Sequence, residues 1–322
     1  MVISRKTGGI GDVLMTLPTV RAIKQKYKGK VDYATDKKYL NGALFKVLQG
    51  NPYIDNVIDW HDLNQQDYHA CIELTCPCVI HEQPQARPIN RIDIFARHAG
   101  VQLSDFAIDY KVFQQEKDWA DKYLKDNHLA NKRLLMVQAF SSTSQRDLPA
   151  FLMHKTLAAI LTKHRDVRVI IVTHDTDPKK LEWKYMEIHE ARNLDIRQIG
   201  ALMDRCELVM CPDSAILHLA GALRKRSLSF FGPTDPRARI NHYPGSVAIW
   251  PAQKLACAPC WYSKRDNCDF FCWKMVKDNM IISTACDMLE QKVVVANDFL
   301  VTYDDLVRKQ PTQAAHSPHE LI

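Results

Sequence analysis

No apolar run in this chain of 322 residues approaches the roughly 20 residues needed to span a bilayer. No secretory signal opens it either: Arg5, Lys6 and then glycines stand where the apolar core of a signal would lie. The chain is therefore expected in the cytosol, with room for peripheral contact at the inner face of a membrane. There is no internal repeat and no long low-complexity segment. The net charge of +6 and pI of 8.7 are mild. They permit an anionic substrate without the clustered basic excess that marks most nucleic-acid binders. A composition of 46% hydrophobic and 25% charged residues is ordinary for a globular enzyme. The length exceeds what one core usually serves, so two domains are expected.

Ten cysteines are too few for a disulfide scaffold in a chain this long, and cytosolic cysteines stay mostly reduced. Cys71, Cys76 and Cys78 lie in or just after a buried strand and read as packing. Cys257, Cys260, Cys268 and Cys272 have the spacing C-x2-C-x7-C-x3-C. Close cysteine pairs of this kind suit a tetrahedral structural zinc or iron. The plainer alternative is a set of reduced thiols in an aromatic-rich loop.

Strand and helix signals alternate along the chain. A strand at Val2–Arg5 leads through a glycine turn into a helix ending near Tyr27, with Pro18 either inside it as a kink or marking its true first turn. Val31–Ala34 reads as a strand, YLNGALFKVL as helical, and INRIDIFARHAGV as a helix stopped by Gly100. A second series starts with the buried strand LLMVQAF. It continues through the helix FLMHKTLAAIL, the strand VRVIIVTH, helices near Lys180–Glu190 and Ile196–Cys206, the strand LVMCP and the helix SAILHLAGAL. Two such series predict an α/β protein: two Rossmann-like domains of parallel sheet over residues 1–120 and 131–290, facing across a cleft. A helix over 291–308 would follow, and then a mobile tail over 309–322.

Three stretches carry candidate chemistry. In GGIGD, Gly9 and Gly11 have dinucleotide-motif spacing, but Leu14 replaces the third glycine. The turn formed by Gly8, Gly9 and Gly11 puts free N–H groups at a helix start, and Asp12 sits at that start. It is either a helix cap or a general base whose glycines let an acceptor approach. SSTSQRDLP gathers Ser142, Thr143, Ser144 and Arg146 in one turn, a plausible phosphate clamp. In CPDSAILHLAGAL, Asp213 and Ser214 end a strand and open a helix whose first N–H groups, from Ala215 on, suit a diphosphate. His218 follows one turn later, near the face of Ser214. In NRIDIFARHAG the arginines face either an anionic acceptor or solvent, and solvent is the safer reading.

KTGGIGDVLMTLP, PDSAILHLAGAL and FFGPTDP, in this order, resemble glycosyltransferase family 9, the heptosyltransferases of lipopolysaccharide core synthesis. The resemblance implies the GT-B fold, with the last helix returning to the first domain. It implies that Asp12 is the general base of an inverting transfer, and that Asp213 bonds the donor sugar. Ser214 and its helix would hold the diphosphate. Arg146 would neutralise the leaving nucleoside diphosphate, so that no catalytic metal is required. Leu194 would lie near the adenine. Ala215 departs from the family's glycine. A related group that glycosylates autotransporters holds iron on cysteines placed like Cys257–Cys272, so the resemblance implies a bracing metal rather than a catalytic one.

The resulting expectation is an enzyme that moves a sugar such as heptose from a nucleotide-diphosphate donor such as ADP-heptose to a hydroxyl. The acceptor is expected to be an anionic glycan or glycolipid such as lipopolysaccharide core. Two alternatives stand beside it: the same donor chemistry on a protein or nucleic acid, and a non-catalytic metal-knuckle binding protein.

Overall fold

The computed structural model describes residues 1–82, 88–174, 183, 185–251, 255–260, 271–295 and 300–302. The first sheet contains β1 (Val2–Ser4), β2 (Asp32–Thr35), β3 (Asn56–Asp59) and β4 (Cys71–Glu73), ordered β3-β2-β1-β4 and parallel throughout. Parallel neighbours need crossovers. Helix α1 (Ile10–Tyr27) joins β1 to β2, and the short α2 (Ala43–Leu48) lies between β2 and β3. Helices α3 (Pro77–Glu82), α4 (Arg91–His98) and α5 (Gln114–Asp126) follow.

The second series runs β5 (Arg133–Gln138), α6 (Ala150–Lys163), β6 (Val167–Thr173), β7 (Ile188–Arg192), α7 (Ile196–Met203), β8 (Leu208–Pro212), α8 (Ala215–Ala222) and β9 (Arg226–Phe230). It ends with α9 (Arg237–Ile240), β10 (Ser246–Ile249), α10 (Phe271–Lys274), α11 (Asp278–Leu289) and β11 (Leu300–Thr302). The sheet order is β11-β10-β9-β8-β5-β6-β7. Every pair is parallel except β10 with β11. The fold is α/β with two Rossmann-like parallel sheets, the GT-B arrangement.

Alternation along β5 shows how the sheet is sandwiched. Leu134 and Met136 join an apolar cluster that also contains Ile3, Leu17 and Tyr33 of the first sheet and its helix. Leu135 and Val137 point the other way, into a second cluster with Leu157 of α6 and Ile281 of α11. Successive strand residues face opposite sides, so both faces are buried and the strand reads as an unbroken apolar run.

Three local expectations are corrected. Pro18 lies well inside α1, which begins at Ile10, so it does not mark the first turn. Of the helix expected near Lys180–Glu190, residues 180–182 and 184 lie outside the described residues, and its end is instead β7, whose Ile188 pairs with Val169 and Glu190 with Ile171. Ladder hydrogen bonds at the sheet edge outweigh the helical propensity of a charged stretch. The helix expected over 291–308 is likewise not seen where the chain is described. Leu300–Thr302 is a buried strand, antiparallel to β10, that closes the open edge of the second sheet. Residues 296–299 and 303–322, including the expected tail, lie outside the described residues.

Candidate active site

The carboxyl ends of parallel strands are where open α/β sheets bind ligands. The loops after β1, β5, β8 and β9 converge here on one cavity of about 540 Å³. The first sheet contributes Gly8, Gly9, Gly11 and Asp12, and the second contributes Ser142, Arg146, Asp213, Ser214, Ala215 and His218.

Asp12 is the third residue of α1. Its Oδ2 accepts the Gly9 N–H at 3.2 Å, which closes the helix start. The two readings of this carboxylate are therefore compatible, since it caps the helix and also lines the cavity. The same Oδ2 lies 3.2 Å from the Arg5 guanidinium, and Oδ1 is paired with Arg91 of α4. Burial pushes the Asp12 pKa up, but the attraction of Arg91, Arg5, Arg239 and His218 outweighs it. The carboxyl is held well below the usual range and is ionised at any physiological pH. Gly8 has φ +127°, and a Cβ there would fall 2.5 Å from Arg5 Nη2. This position requires glycine for both its backbone and its space.

Asp213 follows β8 and is almost wholly buried. Its Oδ2 accepts from the Thr234 hydroxyl at 2.8 Å, and its Oδ1 lies 3.8 Å from Arg239 Nε. Burial pushes its pKa up, but Arg239, His218 and Arg146 overcome this and hold it low. Arg146 donates to the Asp213 carbonyl at 2.7 Å, to Thr143 Oγ1 at 3.0 Å and to Ser142 Oγ at 2.5 Å. Ser214 caps α8 by accepting the Ile216 N–H at 3.3 Å, while its hydroxyl donates to Gln138. His218 Nδ1 lies 2.6 Å from the Tyr243 hydroxyl. Burial, aided by Arg239 and Arg91, lowers the imidazole to about 4 against the pull of Asp213 and Asp12, so the ring is neutral at pH 7.

Ionised Asp12 and the strand-end group of Asp213, Arg146 and Arg239 thus share one cavity. Thr143 and Ser144 do not line it: Thr143 orients Arg146, and Ser144 begins the turn that carries it. Leu194 is also not at the cavity and packs on the apolar cluster before α7. Arg91, Arg239, Gln138, Thr234, Tyr39 and Leu40 line the cavity without having been singled out from sequence. Arg91 corrects the solvent-facing reading of NRIDIFARHAG in part. Arg97 is exposed, whereas Arg91, at the first turn of α4, pairs with Asp12. Thr234 lies within the FFGPTDP motif, which was the available signal.

For the cysteine site, Cys268 lies outside the described residues. Cys257, Cys260 and Cys272 do not bring three donor atoms within 4.8 Å of one another; among the described residues only Asp36, Asp59 and His61 do so. The described cysteines therefore do not by themselves fit a tetrahedral metal centre. Among the described residues no helix is long and apolar enough to cross a membrane.

Solved structures share this architecture. A family 9 glycosyltransferase from Veillonella parvula aligns with a TM-score of 0.66 at 15% identity, over 90% of this chain and 97% of that one. The Escherichia coli ADP-heptose lipopolysaccharide heptosyltransferase II aligns at 0.64 and 12% identity, over 90% and 98%. The iron-containing dodecameric glycosyltransferase TibC from enterotoxigenic E. coli aligns at 0.68 and 12%, over 90% and 76%. A structure of TibC contains ADP-D-β-D-heptose. No curated protein sequence matches the chain. The sequence model of one family does match, over residues 90–267, a span that includes Arg91, Arg146, Asp213, His218 and Arg239. With that match covering more than half of the chain and the fold agreeing, the chain belongs to glycosyltransferase family 9 (heptosyltransferase).

Proposed function

We propose that the chain transfers a heptose from ADP-heptose to a hydroxyl of an anionic glycan, with lipopolysaccharide core as the leading acceptor, by inversion and without a catalytic metal. The observation that carries this reading is the placement of ionised Asp12 in the same cavity as Asp213, Arg146 and Arg239. The acceptor oxygen attacks the anomeric carbon while the bond to the diphosphate breaks, and Asp12 takes the hydroxyl proton. A carboxylate held this low is a weak base towards a ground-state hydroxyl. It suffices when the proton leaves late, after the attacking oxygen has gained positive character. Arg146 and Arg239 supply fixed positive charge to the departing diphosphate, which supports a reaction with no divalent ion. Asp213 accepts hydrogen bonds from sugar hydroxyls. Neighbouring folds that bind or use ADP-heptose support the donor assignment. The cysteine cluster enters no step.

The test is a thermal-shift panel of nucleotide diphosphates and their sugar conjugates, since a ligand that binds only the folded state raises Tm. ADP and ADP-heptose should raise it. Asp12→Ala should keep that shift and lose transfer by at least about 100-fold. Unchanged turnover in Asp12→Ala would remove the base assignment, and no shift with any nucleotide would favour the non-catalytic alternative.

A further inference from the structure

The two oxygens of Asp12 have different surroundings. Oδ2 is held by the Gly9 N–H and the buried Arg5 guanidinium, each at 3.2 Å. Arg5 is itself fixed, because it donates to the Leu74 carbonyl and lies 5.4 Å from the centre of the Phe95 ring. Oδ1 is paired with Arg91, a cavity-lining side chain on the first turn of α4. Arg5 is 4% exposed and Arg91 is 16% exposed. One partner is therefore built into the fold, whereas the other stands at the cavity wall.

Resting on the proposed transfer, we propose that Oδ1 of Asp12 receives the acceptor proton, and that Arg91 is a positioning residue that covers this oxygen until a phosphate-bearing ligand in the cavity draws its guanidinium away. Water is a poor exchange for a partly buried guanidinium leaving a carboxylate. A phosphate is a good one, because it offers the same bidentate geometry and more charge. As the guanidinium turns to phosphate, Oδ1 is uncovered and loses its nearest positive charge, so its basicity rises. The acceptor oxygen then bonds to the anomeric carbon, the carbon–oxygen bond to the diphosphate breaks with its electron pair going to the diphosphate, and the proton passes to Oδ1. The base is thus switched on by the ligand that makes it useful.

Asp12 is faced by Arg5 after β1, Arg91 on α4, Arg239 on α9 and His218 on α8, and its charge is felt by the phenols Tyr33 on β2 and Tyr243 after α9. Of the three arginines, Arg91 is the one paired with Oδ1, and it lines the cavity as Arg239 does.

The experiment is a carbon-13 titration of the aspartate carboxyls, with the Asp12 signal assigned by Asp12→Asn. It is run on wild type, Arg91→Gln and Arg91→Lys, each alone, with ADP and with inorganic phosphate. Asp12 in Arg91→Gln should titrate about one to three pH units higher than in wild type, and Arg91→Lys should stay low. ADP should move wild type towards the Arg91→Gln value and move Arg91→Gln by less, since in the variant only the direct effect of the added negative charge remains. Movement with inorganic phosphate but not with ADP would assign the trigger to a phosphate on the acceptor. In a steady-state assay with ADP-heptose, Arg91→Gln should raise KM and gain an acidic limb in its pH profile. Arg5→Lys, which disturbs Oδ2, should lower kcat. An Asp12 titration unchanged in Arg91→Gln, or a wild type unmoved by both ligands, would overturn the proposal. A normal titration pattern with no turnover of ADP-heptose would instead overturn the proposed reaction.

Discussion

Gly11 of α1 and His218 of α8 are in direct contact, and a Cβ at Gly11 would lie 2.2 Å from His218 Cδ2. The helix that positions Asp12 and the helix capped by Ser214 therefore meet with the His218 ring packed directly against the bare backbone of Gly11. The bareness of position 11 sets the gap between the two halves of the cavity.

Gly11→Ala should therefore push α1 from α8 and cost about 1–3 kcal/mol, with a matching fall in Tm. The change should also lower kcat more than it raises KM, because Asp12 moves with the helix. Truncating the neighbour in Gly11→Ala with His218→Ala should recover part of the lost stability. Simple addition of the two single effects in that double variant would show that the contact is not what glycine serves.

His218 makes a pH-dependent contribution whose sign is fixed by its burial. Its pKa falls from the ordinary value of 6.5 to about 4 in the folded chain. Between those values the unfolded chain binds the proton and the folded chain does not, so the stabilisation is full above 6.5 and is lost as pH falls towards 4. His218→Gln should flatten the fall in Tm between pH 7 and pH 4. A curve parallel to wild type across that window would contradict the assignment.

Arg197 of α7 is 5% exposed and ties the second half to the first. It makes a bidentate pair with Glu116 of α5 at 2.7 and 2.8 Å and donates to the Lys111 carbonyl, and its guanidinium lies 4.5 Å from the Tyr110 ring centre. Arg197→Ala leaves Glu116 without that partner and should cost about 3–5 kcal/mol. Arg197→Lys should recover only part of this, because an ammonium cannot reproduce the fork. Denaturant melts of the three proteins would show whether the order holds.

The parts of the site that were legible in sequence are those in which one short stretch does the work. Asp12 follows its own glycine turn, Asp213 and Ser214 sit at one strand–helix junction, and Arg146 sits in one polar turn. Arg91 was not legible, because a helical arginine reads as solvated unless its partner is known. That partner is some eighty residues earlier, brought near by the packing of α4 on α1. Arg239 and Gln138 are hidden in the same way. Leu194 was placed by likeness to a family position; it is half-buried against the apolar cluster and is not among the residues lining the cavity. The buried strands β5, β6 and β8 announced themselves by continuous apolar character. β7 and β11 did not, because an edge strand owes its form to its neighbour more than to its own residues.

The apolar cluster that contains Ile3, Leu17 and Tyr33 also contains Met136, Val209 and Leu217. It passes without a break from one sheet to the other. Parting the two halves like a jaw would carry this surface into water, at about 25 cal/mol for each Å² of apolar area exposed. Packing of the two sheets on one another therefore opposes opening of the cleft, and the surface that joins the halves also sets the resting distance between Asp12 and Asp213.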